Sequence, residues 1–165
     1  MADLTLESGL HALAFSRRAL LGLLKDIPHE KYTYQPAPKC NHVLWVLGHL
    51  AWTDDYFVYS QTGTASALSE EWNKTMGMGS TPVGDASAYP PIATVMDRLA
   101  ERREALLGWF KSLTPPQLAA PITGNLAQFA PTFAALMSSL AWHEGLHSGQ
   151  ISVIRKALGL QPAFG

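Results

Sequence analysis

Proline divides this chain. All eleven prolines fall between, at the very start of, or beyond the end of four stretches that carry helical periodicity. A ring that fixes φ and removes a backbone donor is excluded from helix interiors. The stretches it leaves free therefore have the lengths of complete helices. The first runs from Asp3 to Asp26, with Leu6, Leu10, Leu13, Leu20, Leu21 and Leu24 on one face, and Ile27-Pro28 ends it. The second runs from Asn41, read as its N-cap, to Gln61, with Gly63 as a stop. Its inward stripe is His42, Trp45, Val46, His49, Trp52, Thr53 and Tyr56. The third begins at Pro90-Pro91 and ends near Leu113. The fourth is capped by Thr132 and stops at Gly159.

No strand pattern, internal repeat or phosphate-loop glycine pattern interrupts this reading. Four amphipathic helices with one apolar stripe each make an all-α four-helix bundle. The chain, residues 1–165, reads as one domain. The connection between helices 2 and 3 is long and rich in Gly, Ser, Thr and Pro, with Ser69–Met76 able to form one short helix within it. Crossing a bundle of roughly 30 Å takes about ten extended residues. Such a linker can carry the chain back along the bundle and leave helices 2 and 3 parallel.

Composition excludes several classes. Apolar residues make up 47 % and charged residues 15 %, which rules out a disordered chain. A formal net charge of −1 gives no basis for a nucleic-acid or anionic-membrane partner. Cys40 is the sole cysteine, so no internal disulfide forms. No apolar run approaches the roughly 20 residues of a membrane span, and the start lacks the pattern of a signal peptide. We expect a soluble cytoplasmic protein acting on a small molecule.

Chemistry concentrates in Trp142-His143-Glu144-Gly145-Leu146-His147-Ser148-Gly149-Gln150. Two histidines at i and i+4 lie one helical turn apart on one face, the spacing at which two imidazoles grip one ion. Here that face is the apolar stripe Leu136, Leu140, His143, His147, Ile151, Ile154. The string is also H-E-x-x-H, which supplies two ligands and a general base in zinc peptidases. Those enzymes draw their third ligand from downstream. Only 18 residues follow His147, and none is His, Asp, Glu or Cys. Gln150 and Val153 also stand where the extended peptidase pattern needs Gly and His. A third ligand must come from upstream, and His49 is the candidate. Counting from the helix starts brings it near the level of the pair in either helix direction, so the count supports the site and not the topology. Three buried imidazoles without a metal would need partners for their nitrogens in an apolar core.

Leu47-Gly48-His49-Leu50-Ala51 and His143-Glu144-Gly145-Leu146-His147-Ser148-Gly149-Gln150-Ile151, with the helix order and lengths, resemble the DinB-like (YfiT-like) metal-binding four-helix bundles. That resemblance implies an up-down-down-up bundle with a long crossover between helices 2 and 3. It implies a divalent metal, zinc or nickel, held by His49, His143 and His147, and it implies a homodimer. Phe15, Leu23, Trp72 and Trp109, read as outward-facing, suit such an interface. The family includes thiol-dependent isomerases and S-transferases using mycothiol, bacillithiol or glutathione, beside hydrolases. The expected function is a metal-dependent enzyme that activates water or a low-molecular-weight thiol. The alternatives are a non-catalytic metal-binding bundle and a zinc peptidase.

Residues around the ligands carry further expectations. Arg17 and Arg103 sit within apolar stripes of helices 1 and 3. Either they pair with carboxylates or reach water, or they face the metal and hold an anionic substrate or thiol. Trp45, Trp52 and Tyr56 are either core or substrate-pocket wall. Gln150, one turn after His147, is placed to orient a ligand. Glu144 points about 100° away from His143, toward a neighbouring helix or solvent, which weakens it as a catalytic base. His42 shares the His49 face and can reach the pocket mouth. His11, His29 and Cys40 read as surface or loop residues.

Overall fold

The structure, a computed structural model, describes residues 2–164, with the side chains of all but residues 2, 3 and 125. It contains α1 (Ala2–Leu23), α2 (Val43–Thr62), α3 (Glu70–Met76), α4 (Ile92–Ser112), α5 (Pro115–Ala119) and α6 (Phe133–Ala157). The four long helices are those expected, and α3 occupies the long connection. Among the described residues there is no strand, only one isolated bridge between Pro121 and Thr132. No described helix is long and apolar enough to cross a membrane.

Side-chain pairings fix the helix directions. Gly9 lies against Met137, Ser16 bonds Glu144, and Arg155 reaches the carbonyl of Leu23, so α1 and α6 run parallel. His42 meets Tyr89 just ahead of α2 and α4, and Asp54 pairs with Arg103 further along, so these two helices are also parallel. Arg17 reaches the carbonyl of Leu99 while Arg103 reaches that of Leu13, so α1 and α4 are antiparallel. The result is an up-down-down-up bundle, with the segment between α2 and α4 returning the chain.

Local chemistry explains most boundaries. Thr132 caps α6 by accepting the Ala135 N–H at 3.2 Å, and Ser69 caps α3 by accepting that of Trp72 at 3.2 Å. The α2 cap differs from expectation. It is His42, whose Nδ1 accepts the Trp45 N–H at 3.1 Å, while Nε2 donates to the Val83 carbonyl at 3.0 Å. Asn41 instead reaches across to Gln150, donating at 3.1 Å. His42 is fully buried by these contacts and does not reach a pocket mouth. The sequence reading also missed α5. There Gln117 Oε1 accepts the Thr114 backbone N–H at 2.8 Å, with Pro115 and Pro116 opening the turn.

The core is split in two. One apolar cluster gathers Leu20, Val46, Leu47, Leu99, Ile151 and Ile154. The other gathers Leu13, Phe57, Leu106, Phe110, Leu136 and Leu140. Between them lies a charged layer to which each long helix contributes: Arg17 from α1, Asp54 from α2, Arg103 from α4 and Glu144 from α6. All four are buried, and their formal charges cancel. Arg17 Nη2 donates to Asp54 Oδ2 at 3.1 Å, and Arg17 Nε donates to Glu144. Arg103 Nε donates to Asp54 Oδ2 at 2.8 Å, and its Nη2 bonds both Asp54 Oδ1 (3.2 Å) and Glu144 Oε2 (3.1 Å). Ser16 adds a hydroxyl to Glu144 Oε2 at 2.7 Å. Buried charges persist only when paired and hydrogen-bonded in this way.

Two expected surface residues are in fact covered. Leu23 is buried among core residues that the C-terminal Leu158, Leu160 and Ala163 pack against. Trp72 is buried because α3 lies on α2, where its indole N–H donates to the Gly48 carbonyl at 3.0 Å. Trp109 is half-buried. Phe15 stays exposed, as do Leu4, Trp142, Leu146 and Val153.

Candidate metal centre

The inward stripes of α2 and α6 bring His49, His143 and His147 together. One ring nitrogen from each lies within 4.8 Å of the others. Ring centroids are 5.4 Å apart for His49–His143, 5.0 Å for His49–His147 and 4.6 Å for His143–His147. No other His, Cys, Asp or Glu joins the group among the described residues.

Hydrogen bonds orient two of the rings. His49 Nδ1 donates to the Met76 carbonyl at 3.0 Å, which leaves Nε2 as a lone pair. Gly48 leaves room for Met76. A Cβ there would lie 1.9 Å from Met76 Sδ, so any side chain would force the Met76 side chain, packed between α2 and α3, to move. His147 Nδ1 donates to Gln150 Oε1 at 2.8 Å, again leaving Nε2 free. Gln150 Oε1 also accepts from Asn41, so its orientation is itself held. The freed Nε2 of His147 lies 3.2 Å from Nε2 of His143, whose Nδ1 is buried with no partner among the described residues.

Electrostatics keep the rings uncharged. Burial, then repulsion from His147, lowers His49 to about 4 against a weaker pull from its bond to Met76. Burial, with His147 and His49 beside it, lowers His143 to about 3. Burial also lowers His147, opposed by Gln150 and Glu144. At neutral pH the uncharged rings offer the Nε2 lone pairs of His49 and His147, with His143 Nε2 hydrogen-bonded to His147 Nε2 at 3.2 Å, and one nitrogen of each ring can turn to a shared cation. The donor set of three imidazoles, two with fixed outer hydrogen bonds, suits a borderline divalent ion.

A cavity of about 500 Å³ opens beside the cluster, with His49 and His143 in its wall. Trp52 and Tyr56 line it from α2, and Phe129 and Leu126 from the segment before α6. Trp45 does not line it. Its ring stacks on His49 at 4.6 Å with planes 8° apart, and its N–H donates to Ser80 Oγ at 2.9 Å.

The remaining candidates sit elsewhere. Arg17 and Arg103 do not line the cavity, and their N–H groups go to Asp54, Glu144 and the carbonyls of Leu99 and Leu13. The reading in which they hold an anionic substrate or thiol therefore gives way to the one in which they pair with carboxylates. Glu144 points at α1 and α4 and is fully buried in the charged layer, away from the cavity and apart from the histidine group. That placement does not suit a general base. His11, His29 and Cys40 are exposed.

Sequence reasoning missed four participants. Asp54 lies five residues after His49 on an apolar helix, and a search for acids matching Arg17 and Arg103 would have found it. The Met76 carbonyl is a backbone group with no residue-type signal. Phe129 and Leu126 lie in a segment without helical period.

Fold and site together define an up-down-down-up helical bundle whose second and last long helices share a three-histidine group able to hold a metal ion. Residues 12–151 match the DinB superfamily, and the chain belongs to it. No curated protein matches the chain.

Proposed function

We propose that this protein is a metal-dependent enzyme. His49, His143 and His147 hold one divalent ion, zinc or nickel. The chemistry that ion would supply is Lewis acidity, enough to ionise water or a low-molecular-weight thiol near neutral pH. The observation that carries the reading is the cavity that reaches two of the three ligands, His49 and His143. A metal serving structure alone has a closed shell and needs no such access. Met76 and Gln150 fix the rings of His49 and His147. Hydrolysis and thiol transfer both suit this arrangement.

Elemental analysis of the purified protein, followed by turnover screens against ester, amide and thiol-plus-electrophile substrates, tests it. One equivalent of metal is expected, lost in His147→Ala together with any turnover. Full metal occupancy in that variant refutes the ligand set. One equivalent of metal that no chelating probe can reach refutes the enzyme and favours the non-catalytic alternative.

A further inference from the structure

The cavity's lining carries a statement about its occupant, one that rests on the metal-site reading above. Along α2 the rings of Trp45, His49, Trp52 and Tyr56 form a continuous stack. Planes differ by 8° between Trp45 and His49, 20° between His49 and Trp52, and 21° between Trp52 and Tyr56. Trp52 and Tyr56 belong to the cavity wall, and His49 ends that wall at the metal position. A ring packed against the edges of this stack has its neighbouring substituent at His49 and His143.

Charge is missing from the lining. Among the described residues no Lys, Arg, Asp or Glu contributes to it. The arginines on nearby stripes are already committed: Arg17 and Arg103 to the charged layer, Arg102 to Asp55 at 3.2 Å and to Glu101 at 2.5 Å. An anionic group pressed against the aromatic wall, away from the metal position, would lose water and find no side-chain cation in return. A neutral ring gains its buried area and edge-to-face contact with the aromatic lining. The polar groups on offer are neutral. The Tyr56 hydroxyl and the Gln128 amide line the cavity and make no hydrogen bond among the described residues. About 500 Å³ is the size of a small-molecule site.

The geometry points to an uncharged, ring-bearing small molecule as the substrate, its ring against Trp52 and Tyr56 and its reactive polar group at His49 and His143. A thiol or ester carrying carboxylates near its reacting group is disfavoured.

Three probes with one chelating head test this by calorimetry on zinc-loaded and chelator-stripped protein: acetohydroxamic acid, benzohydroxamic acid and 4-carboxybenzohydroxamic acid. Benzohydroxamate is expected to bind the loaded protein about 10- to 100-fold more tightly than acetohydroxamate, from ring burial. The carboxylated probe should lose at least about tenfold relative to benzohydroxamate, for want of a cation. Trp52→Ala should erase most of the ring's advantage, read as the ratio of benzohydroxamate to acetohydroxamate affinity on that variant. Gln128→Arg, at an exposed position, should recover the carboxylated probe. Equal affinity for the first two probes, or a carboxylated probe as tight as benzohydroxamate, overturns the inference whatever the metal does. If benzohydroxamate binds stripped and loaded protein alike and acetohydroxamate binds neither, the cavity inference stands and the metal reading falls. If no probe binds, both fall.

Discussion

Replacing Glu144 by Gln tests the charged layer and the assignment of this glutamate together. The carboxylate is fully buried and accepts from Ser16, Arg17 and Arg103. The amide keeps the shape but leaves two arginines facing Asp54 alone, a net positive charge in the middle of the bundle. It also turns an NH₂ toward donors. Removing one partner of a buried charge pair costs about 3–5 kcal/mol. For a chain of this size that corresponds to a fall of about 6–20 °C in melting temperature. Guanidinium unfolding at neutral pH, with metal content read in parallel, measures it. The double variant Arg103→Met/Glu144→Gln restores neutrality, with Arg17 opposite Asp54, and should lose clearly less than the sum of its single changes. Metal content in Glu144→Gln should stay near one equivalent below the melting temperature, because this side chain touches none of the three imidazoles. A loss under about 1 kcal/mol would refute the energetic argument. Unchanged stability with turnover down by roughly 10²–10⁴-fold would show that the glutamate is a general base after all.

Gln150→Leu removes the acceptor of His147 Nδ1, and metal affinity should fall about 10- to 100-fold with the fold intact; competition with a chromogenic chelator measures it, and an unchanged affinity would dismiss the orienting role. Metal-free protein should weaken on acidification. With His49 lowered to about 4 and His143 to about 3, the unfolded chain takes up protons first, so stability is full above pH 6.5 and is lost as pH falls toward those values. By pH 5 the loss should reach about 2–4 kcal/mol, seen as a falling guanidinium midpoint, and a flat midpoint between pH 7 and 5 would contradict it. We also propose a homodimer, now through exposed Phe15, Trp142, Leu146 and Val153 on α1 and α6; a monomer by sedimentation at high micromolar concentration would end that proposal.

The bundle was legible because periodicity and proline placement are local signals. The histidine group was legible for a related reason: an i, i+4 pair on an apolar stripe states both spacing and direction. What failed depended on partners distant in sequence. Arg17 and Arg103 were placed at the correct angular positions, but only the fold shows that Asp54 and Glu144 meet them there. Leu23 and Trp72 looked outward on their own helices, until the C-terminal segment and α3 covered them. Asn41 and His42 are both acceptable caps, and the choice was made by contacts of each to remote residues, Gln150 and Val83. The cavity wall drew on Phe129 and Leu126, where no repeating pattern announces which side faces in.

The charged layer has one more consequence. Leucine stripes alone tolerate sliding, since a helix displaced by one turn, about 5.4 Å, still sets grease against grease. Here such a slip would separate each carboxylate from its guanidinium groups and leave four buried ions unpaired. The layer therefore works as a ruler laid across the bundle. His143 adjoins Glu144, and His49 stands five residues before Asp54. The alignment of the imidazoles is read off the same marks that align the helices. Residues added at the outer ends of the helices should leave the triad assembled, whereas one residue inserted between His49 and Asp54 should scatter it.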